Sequence, residues 1–342
     1  MQCQNPEIMK IKSLLFFFLL VSCFYVLSAQ QDTLAENFPV TQPIVKMYSN
    51  FHTGLNENDL STAFEIRRVY LGYGYQMDRN FSGEVKLDIG SPNDESTYSR
   101  LRRYAFFKTA NLKYQKNKLT FKFGLIGLYT FKLQEKFWGK RYLYKSFQDE
   151  HDFGDAADIG AGIKYQFHPK VSVDFIVSNG EGYKKLQSDR TYKEGVGLTM
   201  RPNDVFVFRV YYDVIHKKEY QSTLATFMGI EYDDYKLGLE YNQKTNRNFE
   251  RGYMQYGFST YLIWDFLPKL QLFARYDRLT SNIPVEEEIP WNIASDGTAV
   301  ITGIEYQPIH HVKIALDYQD WYPWAMNKEN RSYLYLNLKY AL

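Results

Sequence analysis

Much of this chain alternates apolar with polar residues, and that period of two restricts its fold more than any other feature. The clearest example is the segment 81–89. Its apolar side carries Phe81, Val85, Leu87 and Ile89, and its polar side carries Ser82, Glu84, Lys86 and Asp88. Successive side chains of a strand point to opposite faces, so this spacing predicts a half-buried β-strand. No stretch after Ala29 approaches the run of about 20 apolar residues that a membrane-spanning helix needs.

The breaks between the predicted strands alternate in length. Breaks near positions 78, 116, 168, 201, 233, 265 and 307 are short, and those near 56, 91, 129, 180, 244, 280 and 322 are mostly longer. About sixteen strands with tight turns on one rim and long loops on the other are typical of outer-membrane barrels. A closed sheet also pairs every strand backbone group within lipid. Residues 44–342 are therefore predicted to form an all-β, transmembrane antiparallel barrel. A soluble β-sandwich or propeller is the alternative.

Aromatic residues make up 18% of the chain, with 30 Tyr and 25 Phe. Several lie beside the short turns on the side of the strand predicted to face outward: Tyr75, Phe81, Tyr114, Phe167, Phe206, Tyr232, Tyr235, Trp264 and Tyr340. Amphipathic rings prefer the headgroup level of a bilayer. The pattern therefore predicts an aromatic girdle at the rim that carries the short turns.

Residues 1–29 have the form of a secretory signal peptide, with a basic start after Met9, an apolar core and Ala29 before Gln30. The start codon is Met1 or Met9. A retained anchor helix or a lipoprotein signal ending at Cys23 is the alternative. Both cysteines lie in this segment, so its removal would leave no thiol for a disulfide or a metal. Residues 30–43 are predicted to form an extended periplasmic leader.

Charge and motifs exclude several function classes. The 41 basic and 39 acidic residues nearly balance, whereas a nucleic-acid-binding protein usually has a basic excess. No glycine-rich phosphate loop is present, and no cofactor is expected. The nearest candidate for a catalytic base is His52, with Ser49 before it, and we predict no enzyme. The acidic segment 149–155 could hold a divalent cation, but a solvated loop is favoured and no metal site is predicted.

The longest interruption of the strand pattern is Tyr129–Asp155. Its basic residues are Lys132, Lys136, Lys140, Arg141 and Lys145, and acidic residues follow in its second half. Long loops are usually functional or disordered, and the five aromatic residues between 137 and 147 argue against disorder. We expect this third long loop to fold into the barrel and to form a basic pore constriction that lowers the barrier for anions. A solvated outer loop is the alternative.

A barrel of about sixteen strands is wide enough to hold a water-filled channel. The basic residues expected to line the pore wall include Arg68, Lys86, Lys113, Lys122, Arg209 and Arg275. Acidic residues of nearly equal number share the inward side. A wall of mixed charge solvates the lumen without selecting anions. Any anion preference therefore has to come from the ring of side chains at the narrowest point of the pore.

Two segments carry a family resemblance. The stretch 64–75 contains Arg67 and Arg68 before an aliphatic and aromatic strand, and the next strand ends near Asp88. Segments 108–114 and 121–124 follow as a hairpin. This arrangement resembles the phosphate-selective porin O and P family of Bacteroidetes-type bacteria. The resemblance implies a sixteen-stranded outer-membrane porin, often a homotrimer, whose third long loop folds inward.

The predicted function is passive diffusion of small hydrophilic solutes, including anions or phosphate, across the outer membrane of a Gram-negative cell. The expected partners are those solutes and outer-membrane lipid. A plugged barrel that serves in adhesion or as a partner in an envelope complex is the alternative. A barrel enzyme is the least favoured.

Overall fold

The computed structural model describes residues 38–56, 62–90 and 104–342. The predicted signal peptide, most of the predicted leader and all of the predicted loop 91–102 lie outside these residues. Residues Pro39–Leu342 form one compact unit. Within the described ranges, no helix is long and apolar enough to cross a membrane.

The described chain is almost entirely strand. The strands are β1 Val40–Gly54, β2 Thr62–Gln76, β3 Phe81–Gly90, β4 Tyr104–Lys116, β5 Leu119–Gly127, β6 Ala157–His168, β7 Val171–Ser178, β8 Lys193–Met200, β9 Phe206–His216, β10 Tyr220–Tyr232, β11 Tyr235–Thr245, β12 Met254–Leu267, β13 Leu270–Ser281, β14 Gly297–Ile309, β15 Val312–Pro323 and β16 Arg331–Ala341. Helices α1 Lys132–Trp138 and α2 Phe147–Glu150 and a 3₁₀ turn, Arg247–Phe249, lie between strands.

Every strand pairs with its sequence neighbours in antiparallel fashion, and β1 pairs with β16 to close the barrel. The predicted all-β, sixteen-stranded antiparallel barrel is therefore confirmed. Two-residue hairpin turns join many strands at one rim. At two of them the first turn residue, Asn117 or Asp233, has a positive φ of 51°, as tight hairpins between twisted strands require.

The first strand begins earlier than the alternation indicates. It starts at Val40 rather than Ile44 and includes Pro43. Pairing with β16 begins only at Lys46, whereas pairing with β2 begins at Val40. Proline lacks an N–H and is tolerated where a strand has an unpaired edge. The segment 40–44 therefore extends past the end of β16 as a one-sided strand.

Two β-bulges change which residues face inward. In β2, Tyr48 lies opposite Arg68 and Ser49 opposite Ile66, so Arg67 has no partner position. In β4, the register skips Lys108 in the same way. A bulge inserts one extra residue and re-aims the side chains beside it. As a result Arg67 and Lys108 turn toward the interior, and Phe107 turns outward with 57% of its surface exposed.

The outward side of the strands is apolar. Phe123 is 63% exposed and Phe167 is 58% exposed, although both are large and hydrophobic. Rings expected in the aromatic girdle contact one another across strands near the short turns. The centroids of Phe81 and Tyr114 are 4.9 Å apart. The polar side chains of the alternation therefore face the interior, where a soluble sheet would have its core.

Candidate functional site

The third long loop, Tyr129–Asp155, is named L3 here, and it folds into the barrel. Helix α1 covers its first turns and ends at Gly139, whose φ of 67° is left-handed. Glycine adopts this conformation without steric cost, which ends the helix and turns the chain. Helix α2 follows and buries Phe147 and Gln148. The expectation of an inward-folded third long loop is confirmed.

Aromatic side chains pack L3 against one half of the barrel wall. Trp138 is 1% exposed, and its ring centroid lies 4.9 Å from that of Tyr261 on β12 and 6.2 Å from that of Phe273 on β13. Phe137 contacts Phe227 on β10 at 5.4 Å. These contacts belong to an apolar cluster that extends to Ala315 on β15. The β9–β15 side of the interior is therefore filled, and any passage has to run along the other side.

Wall side chains also hold the backbone of L3 by donating to its carbonyl oxygens. The bonds are Arg209 to Tyr129 at 2.8 Å, Arg67 to Leu143 at 2.7 Å, Gln319 to Leu143 at 3.2 Å, Arg275 to Lys145 at 2.8 Å, Lys244 to Asp152 at 2.5 Å and Thr223 to Phe153 at 3.3 Å. A buried carbonyl without a partner would be costly. Six donors from several strands therefore fix the path of L3.

Lys140 belongs to this attachment and not to the constriction. Its ammonium lies 3.1 Å from a carboxylate oxygen of Glu305 on β14. The same carboxylate accepts from Lys313 at 2.7 Å and from the hydroxyl of Tyr142 at 2.5 Å. Burial lowers the pKa of Lys140 to about 8, and Glu305 offsets only part of that effect. Lys140 is 1% exposed, so the expectation that it faces the pore is corrected.

Arg209 and Arg275 point inward as expected, but L3 covers both. Each is 3% exposed. Arg209 donates to both carboxylate oxygens of Asp174, and Arg275 donates to both of Asp277. Each arginine also donates to a carbonyl oxygen of L3, and Arg209 donates in addition to the hydroxyl of Thr199 on β8. The assignment of Arg275 to the open pore wall is therefore corrected, because it holds the loop, whereas Arg209 holds the loop and also lines the cavity beneath L3.

Arg141 lies on the open side of L3. It forms ion pairs with Glu135 and Asp149, both at 2.5 Å, and donates to the hydroxyl of Tyr70 on β2 at 3.1 Å. Burial alone would lower the pKa of Arg141, but Tyr70, Asp149 and Glu135 raise it well above its ordinary value. The guanidinium is therefore held as a fixed charge.

Two cavities meet at this residue. The outer cavity, of about 530 Å³, opens toward the long-loop rim, and the inner cavity, of about 640 Å³, lies toward the short turns. Arg141, Asp155 and Ala156 line both. A further cavity of about 370 Å³ lies beneath L3 and shares Lys132 with the inner one. The junction at Arg141 and Asp155 is therefore where L3 separates an outer from an inner chamber.

The other residues expected at the site divide between these chambers. Lys86, Lys113, Lys122 and Lys132 line the inner cavity. Lys136 lines the cavity beneath L3, and Arg68 and Lys145 line the outer one. The structure thus brings Arg68, Arg141 and Lys145 together near the junction. It places Lys136 away from them.

Three residues that face the lumen were missed from the sequence. Lys108 and Arg67 are turned inward by bulges that leave no pattern in the alternation. Tyr183 comes from the next long loop, residues 179–192, named L4 here. Its hydroxyl donates to Asp88 on β3 at 2.6 Å, and its ring lies 3.8 Å from the ammonium nitrogen of Lys108. L4 therefore also reaches into the lumen.

The weaker candidates from the sequence do not assemble into a site. His52 shares the inward side of β1 with Asn50, to which it hydrogen bonds at 2.9 Å, and Ser49 lies on the opposite face of the strand. The carboxylates of L3 are each paired with a base. Asp149 pairs with Arg141, Glu150 with Lys145 and Asp155 with Lys193.

Comparison with solved structures gives many similar barrels at low sequence identity. OmpT of Vibrio cholerae matches with a TM-score of 0.65 and 10% identity, over 91% of this chain and 100% of that one, and a trimer form of OmpT also matches. Salmonella typhi OmpF in complex with daunomycin matches with a TM-score of 0.64 and 11% identity, over 88% and 97%. A variant of Rh. blastica porin matches with a TM-score of 0.56 and 12% identity, over 89% and 100%.

The fold is that of a porin barrel. Identities of 10 to 12% establish the fold alone. No protein-family model matches the chain, and no curated protein matches it. Membership of the phosphate-selective porin family therefore stays a prediction.

Proposed function

We propose that this chain is an outer-membrane channel for the passive diffusion of small hydrophilic solutes, with a preference for anions. The observation that carries the proposal is the pair of chambers that meet at Arg141 and Asp155, beside a loop fixed to the opposite wall. An apolar exterior around a polar interior is what a barrel in lipid requires.

The charge of the chamber walls supports the anion preference. The chain as a whole has a formal net charge of only +2. The outer cavity is nevertheless lined by nine basic and four acidic side chains, the inner cavity by six and three, and the cavity beneath L3 by six and one. Positive charge is concentrated along the route, which raises the local concentration of anions. Phosphate is one such anion, and the sequence resemblance is the reason to test it.

Location and assembly belong to the same proposal. Residues 1–29 would direct export, and the outward aromatic residues near the short turns would lie at the periplasmic interface. A homotrimer is proposed because the resemblance implies it and because a trimer form of OmpT has a similar fold.

Single-channel recording in planar bilayers tests the function. We expect stepwise conductance and, across a KCl gradient, a reversal potential on the anion-selective side. Replacing Lys122, Lys132 and Lys136 by Gln should shift that potential toward cations. A matched control replaces three exposed lysines of the short turns, Lys116, Lys118 and Lys269, and should leave it unchanged.

Exchange of chloride for phosphate at equal ionic strength tests the phosphate preference separately. Properly folded protein that gives no conductance steps would refute the channel. The competing prediction is a plugged barrel, which the apolar packing of L3 against β9–β15 favours. Passage of small solutes through liposomes that contain the protein would reject that alternative.

A further inference from the structure

We propose that Lys108, on β4, sets the ionic selectivity of the junction between the two chambers. This inference rests on the proposed channel and assigns its selectivity to a single side chain outside L3. The β-bulge in β4 is what delivers this lysine to the lumen. Without the bulge, Phe107 would face inward at this level and Lys108 would face out.

Without Lys108, the paired charges at the junction sum to a net negative charge. Three cations there are paired with four carboxylates. The pairs are Arg68 with Asp88 at 3.2 Å, Lys193 with Asp155 at 3.0 Å, and Arg141 with both Glu135 and Asp149 at 2.5 Å. Those groups together carry one net negative charge. Protonated Lys108 brings the sum to zero, and without its charge the junction would repel anions that the basic walls of the two chambers attract.

Lys108 is held where no carboxylate neutralises it. Its ammonium nitrogen is buried and has no hydrogen-bond partner among the described residues. It lies over the ring of Tyr183 at 3.8 Å. An aromatic face stabilises a cation without cancelling its charge. The hydrogen bond from Tyr183 to Asp88 at 2.6 Å fixes that ring, and Asp88 is itself paired with Arg68.

The expected effect follows from charge alone. Two unit charges about 4 Å apart in water interact strongly enough to change a population ratio about fivefold. Replacing Lys108 by Gln leaves the junction with a net negative charge. The ratio of anion to cation permeability should therefore fall about fivefold, and the reversal potential should move toward the cation value.

The test compares reversal potentials of single-residue variants in a KCl gradient. Lys108→Gln should give the fivefold fall, and Lys108→Arg should keep the wild-type value. The matched control is Lys113→Gln, which removes an inward lysine from the same strand. Lys113 lines the inner cavity and bonds to Gln115 at 3.1 Å. It is about 17 Å along the strand from Lys108, beyond the screening length in salt, and should shift the potential much less.

A variant expected to shift the reversal potential in the opposite direction keeps the inference testable if Lys108→Gln does not fold. Asp149→Asn removes a carboxylate while Arg141 keeps Glu135, and it should raise the anion preference. An unchanged potential in folded Lys108→Gln, an equal shift in Lys113→Gln, or no rise in Asp149→Asn would overturn the assignment to Lys108. Absence of conductance in the unmodified protein would instead overturn the proposed channel.

Discussion

The attachment of L3 at Glu305 offers a quantitative test of how the loop is held. The carboxylate of Glu305 is shared by Lys140, Lys313 and Tyr142. Replacing Glu305 by Gln leaves the buried Lys140 without its counter-charge. Removing one partner of a buried ion pair typically costs about 3–5 kcal/mol.

Replacing Lys140 instead of Glu305 should reduce the unfolding free energy much less. In Lys140→Met, Glu305 keeps Lys313 at 2.7 Å and Tyr142 at 2.5 Å, and the methionine fills most of the lysine volume. We expect a loss of about 1 kcal/mol, the size of one ordinary hydrogen bond. When both residues are replaced, neither member of the buried Lys140–Glu305 pair is left without its counter-charge. The second substitution should then cost about 1 kcal/mol, which corresponds to a coupling energy of about 2–4 kcal/mol.

Urea-induced unfolding in lipid vesicles, followed by tryptophan fluorescence, gives the four free energies that this cycle needs. Trp138 lies on L3, so its emission also reports release of the loop. If the two single substitutions cost the same and their effects simply add, the buried carboxylate is not the anchor and the reasoning fails.

Two further predictions concern pH and the exterior of the barrel. The pKa of Lys140 is lowered to about 8, so the unfolded chain, with an ordinary lysine pKa near 10.4, binds the proton more tightly above pH 8. The unfolding free energy should therefore rise from about pH 8 to pH 10.5, and urea titrations should show a smaller rise in Lys140→Met than in the wild type. On the outside, Phe123→Arg should cost about 2–4 kcal/mol in vesicles, because charge at mid-bilayer is unfavourable. The neighbouring inward substitution Lys122→Arg should cost little, and an equal loss would contradict the assigned orientation of β5.

The strands could be predicted because both features that mark them, the alternation of apolar and polar residues and the turn residues, are local in the sequence. Alternation and turn residues place the breaks between strands close to those observed, and the start of β1 is the clearest difference. Its added residues 40–43 include Pro43, which looks like a leader in sequence. The chain continues as a strand there because β2 alone supplies its partner.

The roles of individual charges were harder to predict, since they depend on helical phase and on bulges. Lys132, Lys136 and Lys140 recur every four residues, as on one face of a helix. Helix α1 ends at Gly139, so Lys140 leaves that face and turns to the wall. Arg67 and Lys108 reach the lumen through single-residue register shifts that no propensity encodes. The basic composition of L3 was informative about its location and misleading about which residue faces water.

The ladder between β1 and β16 has a consequence for biogenesis. It pairs residues from Lys46↔Ala341 to Gly54↔Tyr333, so the two halves of this seam are separated by almost the whole sequence. During synthesis β1 emerges long before its partner and keeps one row of amides unpaired. Pairing across such a separation is slow, and an exposed strand edge promotes aggregation. Loss of β16 would leave both β1 and β15 with an unpaired edge. We therefore expect C-terminal truncations to abolish assembly rather than to yield a smaller barrel.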